Sequence, residues 1–234
     1  NDLNALKELL GHFTKEVNLV LKPTVMNYRD CQIALVPWIN QENIHDSVKF
    51  LETCPTSIVA GHFELAGFEM MRGMPPAAHG TIETNILDRF EMVLSGHYHT
   101  KSSKGNIHYL GTQYEMTWSD VNDPKYFHVF DTETRQLTKV RNPLTIFNKI
   151  IYDDFNNDYR KYDVSKLAGA FVKVIVTSKG NPDMFDDFID AISAVGPHEL
   201  KIAETHEEFT GANVNSEEIE KVTDTSDLLG VYVD

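Results

Sequence analysis

The sequence predicts a layered α/β fold. Three observations carry that expectation. Short β-like apolar runs recur along the chain, two of them (residues 57–60 and 92–94) end in a Gly-His pair, and a helix-compatible stretch separates those two. A length of 234 residues, 41% hydrophobic and 10% aromatic, fits a soluble globular chain of one or two domains. No apolar run is long enough to span a bilayer and no basic-then-apolar leader precedes Leu3, so neither a membrane segment nor secretion is expected, and a cytoplasmic location is. Cys31 and Cys54 lack metal-type spacing and read as reduced packing thiols.

The elements follow in order. Leu3, Leu6, Leu9, Leu10 and Phe13 recur at helical spacing after Asp2, so Gly11 reads as a helix stop and His12 as a surface residue. Residues 17–21 and 25–28 are β-like, residues 31–38 have the continuous apolar character of a buried strand, and residues 44–51 are helical. Strand 57–60 delivers His62; residues 82–90 lead into strand 92–94, which delivers His97. Residues 107–110 and 126–130 are expected to form a closing β-meander, with residues 131–134 as its turn. Between the histidine strands, Arg72-Gly73-Met74-Pro75-Pro76 and His79-Gly80 imply an irregular excursion, read equally as a substrate-facing loop or an inert one. His108 and His128 lie in strand-like runs and read as packed or edge histidines.

Beyond Pro143 the character changes. Residues 171–176 are strand-like, Asn181-Pro182 starts a helix, Phe185, Phe188, Ile189 and Ile192 share its apolar face, and Gly196-Pro197 stops it before a second strand at residues 200–203. From residue 204 the sequence is acidic and weakly periodic, which predicts a mobile or partner-docking tail. The expected division is residues 1–145, 146–203 and 204–234.

The chemistry resides in Gly61-His62 and Gly96-His97-Tyr98-His99. In extended backbone, residues i and i+2 point to one side with Cα atoms roughly 6–7 Å apart. His97 and His99 could then each reach a different member of an ion pair spaced about 3.5–4 Å, with His62 as a third nitrogen ligand. Gly96, lacking a Cβ, permits a sharp turn and close approach. Imidazole nitrogens suit zinc, manganese and iron. For Gly61-His62 alone a structural histidine is an equal reading; the two strand-then-Gly-His units together favour metal.

The matching stretches are Leu35-Val36-Pro37-Trp38, residues 61–68, residues 95–100, Tyr109-Leu110-Gly111-Thr112, and Asn122-Asp123-Pro124 running into residues 127–134. On these residues the segment 24–142 resembles the carboxy-terminal half of the calcineurin-like metallophosphoesterases. Within them it is similar to the SbcD-type DNA-repair exonuclease subunits, and most similar to the recombination endonuclease branch of T-even-like bacteriophages. The resemblance implies an αββα sandwich lacking its N-terminal half, followed by a small strand-helix-strand capping domain. It implies two manganese ions, with magnesium as the alternative: His62 and His97 on one and His99 on the other. It further implies DNA as substrate, an SbcC-type ATPase as partner in recombination and repair, a homodimer formed through the absent half, and the host-cell cytoplasm as location.

The family's other ligands come from upstream Asp-x-His, Gly-Asp-x-x-Asp and Gly-Asn-His-Asp motifs, the last of which supplies the histidine that protonates the leaving group. The 234 residues contain none of them, so no catalytic residue is assigned. A fragment is expected, in agreement with Asn1 as first residue, and with it little nuclease activity and poor solubility from an uncovered sheet. For substrate contact the candidates are His79, Arg72 and Lys101, with Lys104 beside them; for each cation a solvated surface charge is the favoured reading.

The net charge of −14 is unevenly spread: residues 1–150 carry 17 acidic and 14 basic side chains, residues 151–234 carry 18 and 7. Most negative charge thus lies away from the histidines, and ions can hold a scissile phosphate without a strongly basic surface. Two other classes stay open. One is a phosphoesterase acting on nucleotides, phosphoproteins or phospholipids; the other is a non-catalytic ATPase-binding subunit. Residues 122–134 and the cap-like unit favour the nuclease.

Overall fold

A computed structural model describes residues 5–13, 15–70 and 72–204. The chain divides into two compact units, with the boundary between Leu144 and Thr145.

The first unit is built on a six-stranded sheet of order β1-β2-β3-β4-β6-β5. β1 (Thr24–Tyr28) and β2 (Cys31–Val36) form an antiparallel hairpin, and β3 (Ile58–Gly61), β4 (Met92–Ser95) and β6 (Ile107–Tyr109) continue from β2 in parallel. β5 (Ser102–Lys104) closes the far edge antiparallel to β6. Parallel neighbours need a crossover; α2 (Ile44–Thr53) supplies it between β2 and β3. The short α1 (Ala5–Leu10) stops at Gly11, whose N–H bonds the Lys7 carbonyl.

Register explains why β2 reads as a continuous apolar run. Ala34, Val59, Val93 and Ile107 stand in one row across four strands and face the main core, which also takes Leu51 from α2, Phe63, Leu65, Leu87 and Tyr109. The neighbouring row, Ile33, Ile58 and Met92, faces the opposite side, where Cys31 and Phe130 join it. A strand buried on both faces has no polar side to alternate. Cys31 and Cys54 are buried and free.

Four expectations are corrected. Residues 17–21 form no strand: an apolar run becomes one only where a neighbour pairs with it, and β1 pairs with β2 alone. β2 ends at Val36, because Pro37 has no N–H to donate to a ladder. The helix-compatible stretch between the two Gly-His units holds, among the described residues, a 3₁₀ turn at Thr84–Leu87 rather than an α-helix. The meander is split: β6 belongs to the large sheet, whereas β7 (Tyr126–Phe130) pairs antiparallel with β8 (Leu137–Arg141) in a separate hairpin.

The second unit has three parallel strands, order β11-β10-β9, with β10 (Phe171–Ser178) central between β9 (Phe147–Asp153) and β11 (Glu199–Glu204). α3 (Pro182–Ala194) crosses from β10 to β11, and Asn181 caps it by accepting the Met184 N–H at 3.1 Å. Its apolar face packs Phe185, Phe188 and Ile192 against Tyr152, Tyr159, Val172, Val174 and Val176. β9 escapes sequence reading because Phe147, Ile150, Ile151 and Tyr152 do not alternate. The acidic tail is expected from residue 204, but Glu204 is the last residue of β11; residues 205–234 lie outside the described residues. No helix among the described residues is long and apolar enough to cross a membrane.

Candidate functional site

His62 and His97 leave the carboxyl ends of β3 and β4. The ladder continues one step beyond the strands, where the Gly96 N–H donates to the Gly61 carbonyl at 3.0 Å, so the residues that follow are forced alongside each other. The two imidazoles meet edge to face, with ring centroids 5.1 Å apart and planes at 86°. Ligands in open parallel sheets collect at this end of the strands. Gly96 makes the approach possible, since a Cβ there would stand 2.9 Å from His62 Nδ1. His97 itself takes φ +88°, a left-handed conformation costly for a residue with a side chain and one that concentrates at functional sites.

The segment carrying His62 is pinned from below. Ser95 Oγ accepts the buried Phe63 N–H at 3.0 Å, Tyr109 donates its hydroxyl to the Phe63 carbonyl at 2.9 Å, and Tyr98 donates to the Leu65 carbonyl at 2.8 Å. Burial pushes both phenols up, so they remain protonated donors. Burial, and then the neighbouring His97, hold the His62 imidazole below its usual 6.5, which leaves it neutral at pH 7 with a lone pair to give.

His99 is placed differently. Its Nδ1 lies 3.3 Å from each oxygen of the Asp120 carboxylate. The Asp120 side chain is 2% exposed and accepts from the Met116 and Thr117 N–H groups at 2.9 and 3.0 Å and from Lys125 Nζ at 2.7 Å. Burial would raise that carboxyl, but the lysine and the two backbone donors together hold it below its usual range. The equally buried Lys125 ammonium also donates to Asp123 at 2.8 Å and to the His99 carbonyl at 3.2 Å. At Gly111, φ +72°, a Cβ would stand 2.9 Å from that carbonyl, so the chain passes the His99 backbone where only glycine fits.

Thus His62 and His97 come together, while His99 is turned to Asp120; among the described residues no group of three or more His, Cys, Asp or Glu side chains is arranged to hold a metal ion. An imidazole pair admitted by a glycine cradle, with the His62 ring neutral, nevertheless suits a borderline divalent cation. Sequence reasoning misses Asp120, Asp123 and Lys125. The local signal is Thr117-Trp118-Ser119-Asp120, which forms a capping box around a 3₁₀ turn at Trp118–Asp120; nothing local discloses its partner 21 residues earlier.

The substrate-contact candidates scatter. Arg72 donates to the Asn122 carbonyl at 2.9 Å, tying the excursion to the loop before β7, and His79 is exposed. The excursion is more ordered than its composition suggests: Gly67 and Ala77, Ala77 and Phe68, and Thr81 and Glu64 are joined by backbone hydrogen bonds. Lys101 instead lines a cleft of about 390 Å³ with Met92, His108, His128, Leu137 and Lys139. Burial first, and then Lys101, lower both histidines there; His108 Nδ1 pairs with Ser103 Oγ at 3.0 Å, while His128 Nε2 is buried with no hydrogen-bond partner among the described residues.

Comparison with known proteins supplies the relationship. No family model matches the chain. It is 37% identical over 174 residues to exonuclease subunit 1 of Enterobacteria phage T4, a match spanning 74% of this chain and 49% of that protein. It is 29% identical over 119 residues to the SbcD subunit of the SbcCD nuclease of Staphylococcus epidermidis, spanning 48% of this chain and 32% of that protein. The chain therefore spans half or less of the curated relatives it matches. Two Gly-His strand ends lying side by side and two nuclease-subunit relatives agree: the chain is a homologue of the SbcD-type nuclease subunits.

Proposed function

We propose that this chain is part of the nuclease subunit of a DNA recombination and repair complex, a metal-dependent phosphodiesterase that works with an SbcC-type ATPase. The observation that carries the reading is the apposition of the neutral His62 imidazole with His97 at the ends of adjacent parallel strands. The names of the two relatives, one an exonuclease subunit and the other the SbcD subunit of an SbcCD nuclease, support DNA as the substrate and an SbcC partner.

In this reading His62 and His97 hold one divalent cation and His99 another, with manganese the expected ion. Bound ions would polarise phosphate oxygens and lower the pKa of a water. The residues of this chain do the rest. Ser95, Tyr98 and Tyr109 fix the backbone that presents His62, Gly96 lets its ring sit close, and desolvation keeps that ring unprotonated so that its nitrogen is available. Imidazoles alone neutralise no charge, so carboxylate ligands from outside these 234 residues complete the site, and the isolated chain has little activity.

The test is cleavage of linear duplex DNA by the intact subunit with its ATPase partner, in manganese and in chelator. Expected is manganese-dependent cleavage that falls at least about 100-fold in His62→Ala and in His97→Ala. Cleavage unchanged by both substitutions would overturn the assignment. Manganese-dependent hydrolysis of nucleotides with DNA left intact would transfer the site to another phosphoesterase class.

A further inference from the structure

We infer that Asp120 is the positioning residue for His99: its buried carboxylate fixes the imidazole in the tautomer that carries the proton on Nδ1 and leaves Nε2 bare, pointing a lone pair away from the network. The role given to Nε2 rests on the two-ion reading above; the positioning itself does not.

The geometry is that of an anchored acceptor. Both carboxylate oxygens lie 3.3 Å from Nδ1, and a carboxylate offers only lone pairs, so the ring nitrogen facing it must be the donor. The carboxylate cannot turn away. Two backbone N–H groups and the Lys125 ammonium hold it, all within 3.0 Å, and the side chain is 2% exposed. Lys125 grips both ends of the arrangement, since the same Nζ donates to Asp120, to Asp123 and to the carbonyl of His99 itself. Thr100 donates its hydroxyl to Asp123 at 3.2 Å, which ties the residue after His99 to the same knot. His99 is therefore constrained at ring, carbonyl and following residue by one buried ionic network.

Such a network is costly to bury unless every member is satisfied, and a fully satisfied one specifies a unique local arrangement. What it specifies here is the orientation and tautomer of one imidazole. Carboxylates that receive the second N–H of a ligating histidine act in this way in metal sites generally, and their loss typically lowers metal affinity about 10–100-fold. His62 and His97 have no such carboxylate partner among the described residues; their ring-to-ring approach and the glycine cradle set their positions instead.

Asp120→Asn separates positioning from packing. The amide keeps the shape but has one oxygen where the carboxylate has two: with that oxygen still accepting from the Met116 and Thr117 N–H groups, its NH₂ replaces the oxygen that received Lys125 and faces His99 Nδ1. That makes Nδ1 an acceptor and moves the proton to Nε2. Side-chain ¹⁵N NMR of the metal-free chain at about pH 7.5, where an ordinary imidazole is neutral, reads the tautomer directly. Expected is the Nδ1–H form in the wild type, the Nε2–H form in Asp120→Asn, and recovery of Nδ1–H in Asp120→Glu. An Nε2–H tautomer in the wild type overturns the inference without need of any variant, as does an unchanged tautomer in Asp120→Asn. Should Asp120→Asn not fold, the wild-type tautomer alone decides. Calorimetric titration of the intact subunit with Mn²⁺ is the second arm, with an about 10–100-fold weakening expected in Asp120→Asn. A tautomer that follows residue 120 while Mn²⁺ affinity stays constant upholds the positioning and removes His99 from the ion ligands.

Discussion

The two units invest their order in different places. In residues 145–204 the packing centres on one aromatic core: Tyr152 and Tyr159 stack at 4.3 Å, Phe188 meets Tyr159 at 4.8 Å and Tyr162 at 5.4 Å, and α3 caps itself locally. In residues 1–144 the sheet is as regular, but the specific polar contacts concentrate beyond the strand ends. There a histidine takes positive φ, a glycine admits a ring, and a buried lysine joins two carboxylates. The comparison teaches that the second unit is held by packing and the first is tuned for placement. Substitutions should therefore report stability in one and geometry in the other.

The largest expected effect comes from the aromatic core. Phe188→Ala, at a position 3% exposed and in contact with three tyrosine rings, should lower stability by about 3–5 kcal/mol through transfer and cavity terms. Urea unfolding followed by tyrosine fluorescence checks it; a loss under about 1 kcal/mol would show that this unit is not packing-limited. Next is Gly111→Ala in the first unit. Positive φ together with a Cβ 2.9 Å from the His99 carbonyl predicts a loss of roughly 1–3 kcal/mol. The sharper readout is the His99 ring, whose chemical shifts should move more than those of His12.

That contrast follows what is legible in the sequence. The apolar face of α3, its Asn181-Pro182 start and the strand flanking it are readable because periodicity and capping are local signals. Strands β2, β3 and β4 and the two Gly-His ends are readable for the same reason. The missed pieces share a cause: they exist only through a distant partner. β8 is half polar and becomes a strand by pairing with β7; β5 is three residues long and borrows its order from β6; Asp120 matters through a histidine 21 residues away. Residues 17–21 fail in the converse sense, apolar enough for a strand but without a neighbour.

A smaller effect concerns acid. His62, His108 and His128 all have imidazoles lowered from 6.5 by burial in the folded chain, so the unfolded chain binds more protons below about pH 7. Their contribution to stability is present above about pH 6.5 and lost as the pH falls through the folded-state values. Melting temperature should thus drop between about pH 7 and pH 5. His128→Leu sharpens the test, because it removes a buried nitrogen without a partner among the described residues and one of the three titrating groups. Stability at neutral pH should change by less than about 1 kcal/mol, since an unsatisfied group is lost along with its ring. The slope of melting temperature against pH should flatten. An unchanged slope would place the acid sensitivity elsewhere.

The last comparison concerns one device used in both units. Asn181 caps α3 by accepting one backbone N–H, so Asn181→Ala should cost about 1 kcal/mol. Pro182 keeps the helix start in place, with φ already set for the first turn. Asp120 caps its own short turn with the same chemistry, yet its carboxylate also receives Lys125 and faces His99, so its loss cannot be confined to the turn. Paired urea titrations of Asn181→Ala and Asp120→Ala make the point quantitative. A difference of about 2 kcal/mol or more is expected, because the second variant leaves a buried ammonium short of one partner. Equal losses would mean that the Lys125 network is no more than a cap, and the division between a packed unit and a tuned one would lose its main support.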